Sequence, residues 1–205
     1  MSSRVTRNFQ FQSAVYFSGD FFVNSYDIDI QFTVETESIR EQNIALERIK
    51  YFIHRCLEHS IFIYEQEHSV IEKYLDADLK ICTLPEEPYD QIIGIMLLNK
   101  LNAITEGRLV ATEVITSSRM SDGVKCVHEI DESVGPFKFP NWWNENNTKI
   151  AQYFPKGKNK KVVKLVKFTP EWDELGLTWE EKPLIQTIPH DSEVVFASFD
   201  NKSSK

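Results

Sequence analysis

The sequence predicts an α+β protein: an antiparallel sheet with helices on one face, elements in the order β-β-α-α-β-β, and a C-terminal extension. Three observations predict this class: an N-terminal strand with two-residue alternation, two helical segments in the middle, and a second hairpin ending near residue 129. We place the α+β domain at residues 1–131 and the extension, with short strands packed on that domain, at residues 132–205. With 41% hydrophobic and 12% aromatic residues in 205, the chain can fill a core, which excludes wholesale disorder.

The N-terminal residues predict a β-hairpin. Apolar residues alternate over Phe9–Phe17, and Ser18–Asp20 has the composition of a turn. The clearest strand is Asn24–Val34, where five of the six even-numbered positions are apolar and none of the odd-numbered ones is. This pattern indicates one buried face and one acidic face that is solvated or lines something wet.

Two main helices follow the first hairpin. The first runs from Ser38 to about Glu58 and begins with a capping box, because Glu41 follows Ser38 by three residues. Its apolar stripe consists of Ile49, Phe52, Ile53 and Cys56. A small helix at residues 66–75 and a brief strand at residues 79–84 come next. The second main helix, Pro88 to about Ile104, is apolar on most sides, so we expect it to be buried.

A second hairpin is predicted after Gly107, which suits the C-terminal cap of the second helix. Residues 108–116 form one strand, residues 117–123 the connection, and residues 124–129 the returning strand. The dipeptide Asp-Gly at residues 122–123 is the turn signal.

Charge, hydropathy and cysteine content narrow the class of protein. The formal net charge is −8, whereas nucleic-acid-binding domains are usually basic, so nucleic acid is not an expected partner. The longest apolar run, residues 92–98, is far shorter than the roughly 20 residues of a membrane span, and no apolar signal region is visible. The three cysteines are widely spaced and odd in number, which predicts a reduced, cytoplasmic protein without disulfides.

Two features after residue 131 each allow two interpretations. Six lysines in Lys156–Lys167 indicate either a surface for an acidic or phosphate-bearing partner or, more commonly, a solvated edge strand protected from pairing. The pair Trp142-Trp143 is either a ring-stacking site or, as is more usual for tryptophan, the anchor of a loop on the body of the protein. Further short strands are predicted at residues 160–168 and 193–199.

Four local motifs accompany this order of elements: Ser13-Ala14-Val15-Tyr16, Tyr26, Glu58-His59 and the strand Leu109–Val114 with Glu113. Together with the order of elements from Phe9 to Glu129, they resemble the tunnelling-fold family, which includes 6-pyruvoyltetrahydropterin synthase and GTP cyclohydrolase I. The resemblance implies that Glu113 holds the ring of a purine- or pterin-like ligand through two adjacent N–H groups. It also implies that His59 belongs to the ligand site and that subunits assemble into a homo-oligomer.

The residues at the metal-binding places of that family differ here. Tyr16, Phe22 and Asn24 stand where the synthase branch has three zinc-binding histidines. The first cysteine is Cys56, well after the place of that family's nucleophile. None of the three side chains is a usual zinc ligand. We therefore expect no metal, no cofactor and no metal-dependent lyase chemistry.

Two functions from different classes follow. In the first, the protein binds a purine- or pterin-like ring through Glu113, with or without catalysis. In the second, the same scaffold is a structural or protein-interaction module with no small-molecule ligand. Because a sheet of two hairpins leaves unpaired strand edges, we also expect a homo-oligomer joined through the Tyr26–Val34 strand or the Arg108–Thr116 strand.

Overall fold

The computed structural model describes residues 3–77, 79–130, 137, 141–151 and 170–180. The strands are β1 (Ser3–Phe17), β2 (Asp20–Val34), β3 (Ile61–Tyr64), β4 (Ile81–Leu84), β5 (Leu109–Ser118) and β6 (Cys126–Glu129). The helices are α1 (Ile39–Tyr51), α2 (His68–Asp76) and α3 (Asp90–Thr105). A π-helical turn, Phe52–Leu57, continues α1 to nearly the predicted end. The predicted α+β class is therefore confirmed, with both hairpins and both main helices in the predicted order.

The six strands form one sheet in the order β4-β3-β1-β2-β5-β6. The two predicted hairpins join into its antiparallel part, since β2 pairs with both β1 and β5, and β5 pairs with β6. Two short strands extend the sheet on the far side, where β3 runs parallel to β1 and β4 runs parallel to β3. The predicted pairing of subunits through β2 is wrong, because this strand already has a neighbour on both sides. The pairing predicted through β5 stays a prediction, because β6 covers only Glu113–Thr116 of that strand.

The alternation predicted for β2 sets the two faces of the sheet. Tyr26, Ile28, Ile30 and Phe32 are at most 2% exposed and face the main core, which α1 and α3 cover. On the opposite face, Asn8 of β1 donates to the carboxylates of Asp27 (2.6 Å) and Asp29 (2.9 Å). Burial of the apolar row supplies stabilisation, while the acidic row is hydrogen-bonded in the open.

The smallest helix lies apart from the other two. Ile71 of α2 packs with Ile61, Ile63 and Ile81 in a separate cluster that includes the partly buried Tyr16. Because Tyr16 alternates with the core-facing Val15 on β1, α2 covers the other face of the sheet. The expectation that all helices lie on one face is thus met by α1 and α3 alone.

Parts of the predicted extension contact the helices. Trp142 and Trp143 are each 2% exposed, and the Trp142 indole donates to the Thr83 carbonyl (2.9 Å), so this pair anchors its loop to the body. The Lys156–Lys167 cluster and the strands predicted at residues 160–168 and 193–199 lie outside the described residues. In the described ranges, no helix is both long and apolar enough to span a membrane.

Candidate ligand-binding site

A cavity of about 330 Å³ opens where three parts of the fold meet: the turn end of the β1–β2 hairpin, the N-terminus of α3 and the β5–β6 connection. Its walls include Val15, Phe17, Asn24, Asp90, Met120 and Cys126. The Phe17 ring meets the ring of Tyr89 edge to face at 5.2 Å, and both residues line the cavity. Apolar walls with a few polar groups are typical of small-molecule sites, which start near this volume.

Asp90 is the principal polar group of the cavity. It is the first residue of α3 and only 9% exposed, and its Oδ2 atom is buried with no hydrogen-bond partner among the described residues. A helix N-terminus favours a negative charge, which makes a carboxylate tolerable there. An unpaired buried acceptor nevertheless costs about 1–3 kcal/mol. The cavity therefore offers an unused carboxylate oxygen to a hydrogen-bond donor.

Asn24 supplies the complementary group. Its Oδ1 atom accepts from the backbone N–H of Ser25 (3.0 Å) and from that of Met120 (3.1 Å). These two bonds fix the orientation of the amide and occupy its acceptor, so the Nδ2 end is the one left to donate. The cavity wall thus holds an acceptor on Asp90 and, on Asn24, an Nδ2 donor that also lies near the Tyr26 hydroxyl.

Further polar groups lie buried around this end of α3. Among the described residues the Tyr26 hydroxyl has no hydrogen bond of normal length, although the Asn24 side chain is near enough to lower its pKa. Burial raises the pKa of Tyr26 and the Asp90 charge raises it further, so the phenol stays protonated. The Thr116 hydroxyl is also buried, and no described residue hydrogen-bonds to it. These groups make the region around Asp90 polar and incompletely hydrogen-bonded, which is unusual for a protein interior.

The structure does not bring the two predicted ligand residues together. Glu113 is half-buried on the polar face of β5, between Gln31 of β2 and Glu129 of β6. His59 is exposed, with a φ of 60°, and its N–H donates to the Gln12 carbonyl (2.8 Å).

The strand register gives the separation of these two residues. Gln12 pairs with Ser25 on β2, six residues from the Gln31 that pairs with Glu113. At roughly 3.4 Å per residue this corresponds to about 20 Å along the sheet. One ring therefore does not reach both Glu113 and His59 within one chain, and each residue stays a separate prediction.

The three positions implied for zinc do not fit the metal. Phe22 has no donor atom, and the Oδ1 atom of Asn24 is already used by two backbone N–H groups. Tyr16 faces the α2 side of the sheet, whereas Asn24 faces the main core. Three such side chains do not converge on the tetrahedral N and S donors that zinc prefers.

Sequence patterns did not identify Asp90 and Asn24 as site residues. In the sequence, Asp90 is only an acidic residue at a helix start, and Asn24 is the one polar residue on the buried face of β2. That exception was the available signal, because a buried polar residue requires partners. Their meeting depends on where the N-terminus of α3 lies relative to the β1–β2 hairpin, which local patterns do not report.

Comparisons with known proteins give structural likeness only. No protein-family model and no curated protein matches the chain. Among solved structures, the uncharacterized protein WS1659 from Wolinella succinogenes aligns with a TM-score of 0.49 at 9% identity, covering 63% of this chain and 99% of that one. The 6-pyruvoyl tetrahydropterin synthase of Plasmodium vivax aligns at 0.41 and 13%, with the same coverages. That of Plasmodium falciparum aligns at 0.38 and 15%, covering 62% and 96%. The chain is similar to these proteins in chain path, and its own residues define the candidate site.

Proposed function

We propose that the protein binds a purine- or pterin-like ring in the cavity at the N-terminus of α3, without metal-dependent catalysis. The observation that carries this proposal is the buried Oδ2 atom of Asp90, which has no partner among the described residues and lines a largely apolar cavity. In the empty site the buried acceptor of Asp90 is unsatisfied, which costs free energy. A ligand that donates a hydrogen bond to Asp90 recovers that free energy.

The two fixed polar groups define the edge of the ligand. A lactam edge, as in guanine and pterin, places a ring N–H beside a carbonyl oxygen. The N–H matches the Asp90 acceptor, and the carbonyl matches the Asn24 donor. The rings of Phe17 and Tyr89 supply apolar contact for the flat ring. The cavity volume of about 330 Å³ favours a compact bicyclic ligand.

Replacement of Asp90 tests the site directly. We expect calorimetric titration to show binding of 9-methylguanine or pterin to the wild type and at least tenfold weaker binding to Asp90→Asn, because a charge-assisted hydrogen bond contributes about 1.5–3 kcal/mol. Caffeine serves as the ligand control, since it has no N–H to donate. Absence of binding to the wild type at millimolar ligand rejects the proposal.

Glu113→Gln is the matched protein control, because it makes the same change of carboxylate to amide on the opposite face of the sheet. Binding that survives this change but not Asp90→Asn assigns the anchor to Asp90. The reverse result assigns it to Glu113, as the sequence resemblance implies. If both variants still bind the ligand as the wild type does, neither Asp90 nor Glu113 is the anchor.

Cys126 gives a second test of the cavity. It lines the cavity and is half-exposed, whereas Cys56 and Cys82 are buried. Burial raises the pKa of Cys126 and the Asp90 charge raises it further, while burial raises that of Cys56 to about 12. At pH 9 we expect iodoacetamide to modify Cys126 first, and saturating pterin to slow that reaction at least fivefold by mass spectrometry. Unchanged alkylation in the presence of a bound ligand would place the ligand elsewhere.

A homo-oligomer remains part of the proposal, with β6 as the strand that joins subunits. On the described sheet β6 has a neighbour only on the β5 side, and its residue Val127 is 48% exposed. Exposed edge strands are ready templates for main-chain pairing. Light scattering that gives a monomer at micromolar concentration would contradict this arrangement.

A further inference from the structure

Residues 170–180, here called the two-tryptophan segment, form a turn stabilised by their own backbone. Main-chain hydrogen bonds run from Leu177 to Trp172 (2.7 Å) and from Gly176 to Asp173 (3.1 Å). Gly176 has a φ of 69°, a conformation that glycine adopts without strain. None of the segment's main-chain hydrogen bonds in the described ranges reaches main chain outside it. Its shape is therefore local.

The segment lies against a groove on α1, here called the arginine groove, formed by Arg40, Arg48, Tyr51, Arg108 and Asn146. Arg40 donates to the carbonyls of three successive residues, 178 to 180, and Arg48 donates from Nε to the Leu177 carbonyl (2.8 Å). Four consecutive carbonyls are thus bound by two guanidinium groups, whose several donors suit this arrangement. These contacts recognise the backbone of the segment rather than its side chains.

The two indoles supply the side-chain recognition. The Arg48 guanidinium lies 3.9 Å from the ring centre of Trp179 and 4.9 Å from that of Trp172. Arg108 lies 4.4 Å from the Trp179 ring, and the Trp172 indole donates to Asn146 (2.9 Å). Arginine over a desolvated tryptophan ring is among the stronger cation–π pairs. Trp172 and Trp179, which are separated by six residues, are the anchors.

Charge complements these contacts. The segment Pro-Glu-Trp-Asp-Glu-Leu-Gly-Leu-Thr-Trp-Glu contains four acidic residues and no basic one. The groove contributes three arginines, two of which, Arg48 and Arg108, also pair with Glu106 of the body. We propose that the two-tryptophan segment is a separable acidic peptide motif and that the arginine groove is its docking site, occupied by the chain's own copy. An acidic peptide with the spacing Trp-x6-Trp is the partner that this groove fits.

A labelled peptide tests the groove. In full-length protein carrying both Trp172→Ala and Trp179→Ala, the tethered segment loses its anchors, so a fluorescent peptide of residues 170–180 is expected to bind in an anisotropy titration. In the wild type, the tethered copy competes at an effective concentration on the order of millimolar, so the apparent affinity is expected to be at least tenfold weaker. Binding is expected to weaken from 50 to 300 mM salt because of the charges.

Matched variants separate docking from non-specific attraction. A peptide with both tryptophans replaced by alanine is expected not to bind. Arg40→Ala, added to the double variant, is expected to weaken peptide binding several-fold, whereas Lys50→Ala on the exposed side of α1 leaves it unchanged. The proposal is overturned if the folded double variant does not bind the peptide at millimolar concentration. It is also overturned if the peptide binds the wild type and the double variant equally well.

A second experiment keeps the proposal testable if the double variant does not fold. A protease site is introduced between residues 157 and 160 of the otherwise wild-type chain, and the chain is cleaved after folding. The fragment that carries residues 170–180 is expected to co-elute with the N-terminal fragment on gel filtration and to be released by excess peptide of the same sequence. Failure of the peptide to release it, or immediate loss of the fragment without peptide, overturns the docking site.

Discussion

Replacing Lys100 by methionine is expected to destabilise the protein by about 2–4 kcal/mol, because three hydrogen bonds of a buried amino group are lost at about 0.5–1.5 kcal/mol each. Lys100 is fully buried in α3, and its Nζ donates to the carbonyls of Trp142 (2.8 Å) and Glu145 (2.8 Å) and to the Asn147 side chain (3.2 Å). Methionine keeps the apolar stem but removes the ammonium donor from three acceptors, each of which retains one backbone N–H donor. Urea denaturation followed by tryptophan fluorescence measures the difference.

Lys149→Met is the matched control for this change, because Lys149 is 42% exposed and forms an exposed ion pair with the carboxylate of Glu145. Its effect should stay below about 1 kcal/mol, as for other surface ion pairs. A loss from Lys100→Met no larger than that of the control would mean that the loop of Trp142 does not depend on the ammonium group.

The same lysine makes stability depend on pH. Burial lowers the pKa of Lys100 to about 7, although the Glu145 carboxylate opposes this shift, whereas an unfolded lysine titrates near 10.5. Between these values the unfolded chain binds more protons, so this contribution to stability is present at high pH and is lost as the pH falls through 7. We expect the unfolding free energy of the wild type minus that of Lys100→Met to increase from pH 7 to pH 9.5. A flat or decreasing difference contradicts the lowered pKa.

Gly94→Ala is expected to destabilise the protein by about 1–3 kcal/mol, the usual range for overpacking a core. Inside a helix, alanine normally stabilises by about 0.5–1 kcal/mol relative to glycine, so the sign of the effect is itself informative. A Cβ atom on Gly94 would lie 2.4 Å from Cδ2 of His128 and 2.8 Å from Oγ1 of Thr116. Both neighbours belong to paired strands, so α3 or the sheet must shift. Thermal denaturation measures the change.

A double-mutant cycle with His128→Ala tests the cause. Removal of the imidazole creates space for the new methyl group, so Gly94→Ala should cost less in the His128→Ala background than in the wild type. The difference between the two costs isolates the contact, because the residues touch. Equal costs in both backgrounds would assign the effect to some other contact of the helix.

Local periodicity accounts for the elements that sequence patterns predicted correctly. The alternation in β2 is visible in the sequence because one face of the strand is buried and the other is solvated. The polarity of each residue therefore indicates which face of the sheet it lies on. The capping pattern of Ser38 is equally local, and the Ser38 hydroxyl accepts from the backbone N–H of Glu41 (3.4 Å). Sequence patterns do not predict β3, because Ile61–Tyr64 is short and apolar throughout and has no periodic signal.

The candidate site was only partly accessible to such patterns. Glu113 and His59 were selected from resemblance of short motifs, and the sheet register places them about 20 Å apart. Asp90 and Asn24 meet at one cavity because the N-terminus of α3 lies beside the turn end of the β1–β2 hairpin and the β5–β6 connection. That contact joins residues far apart in the chain, and no local spacing encodes it.

The amino-acid order was enough to establish the α+β class, the two hairpins and the buried second helix, because hydrophobic period and turn chemistry are properties of neighbouring residues. Tertiary packing alone decided which polar groups lost their water. It buried Lys100 among carbonyls, gave Arg48 two indoles and a carbonyl, and left the Oδ2 atom of Asp90 without a partner in the described structure. Desolvation is set by what surrounds a side chain in space. The same polar residue type therefore contributes little free energy on a surface and a large free energy, of either sign, in a cavity.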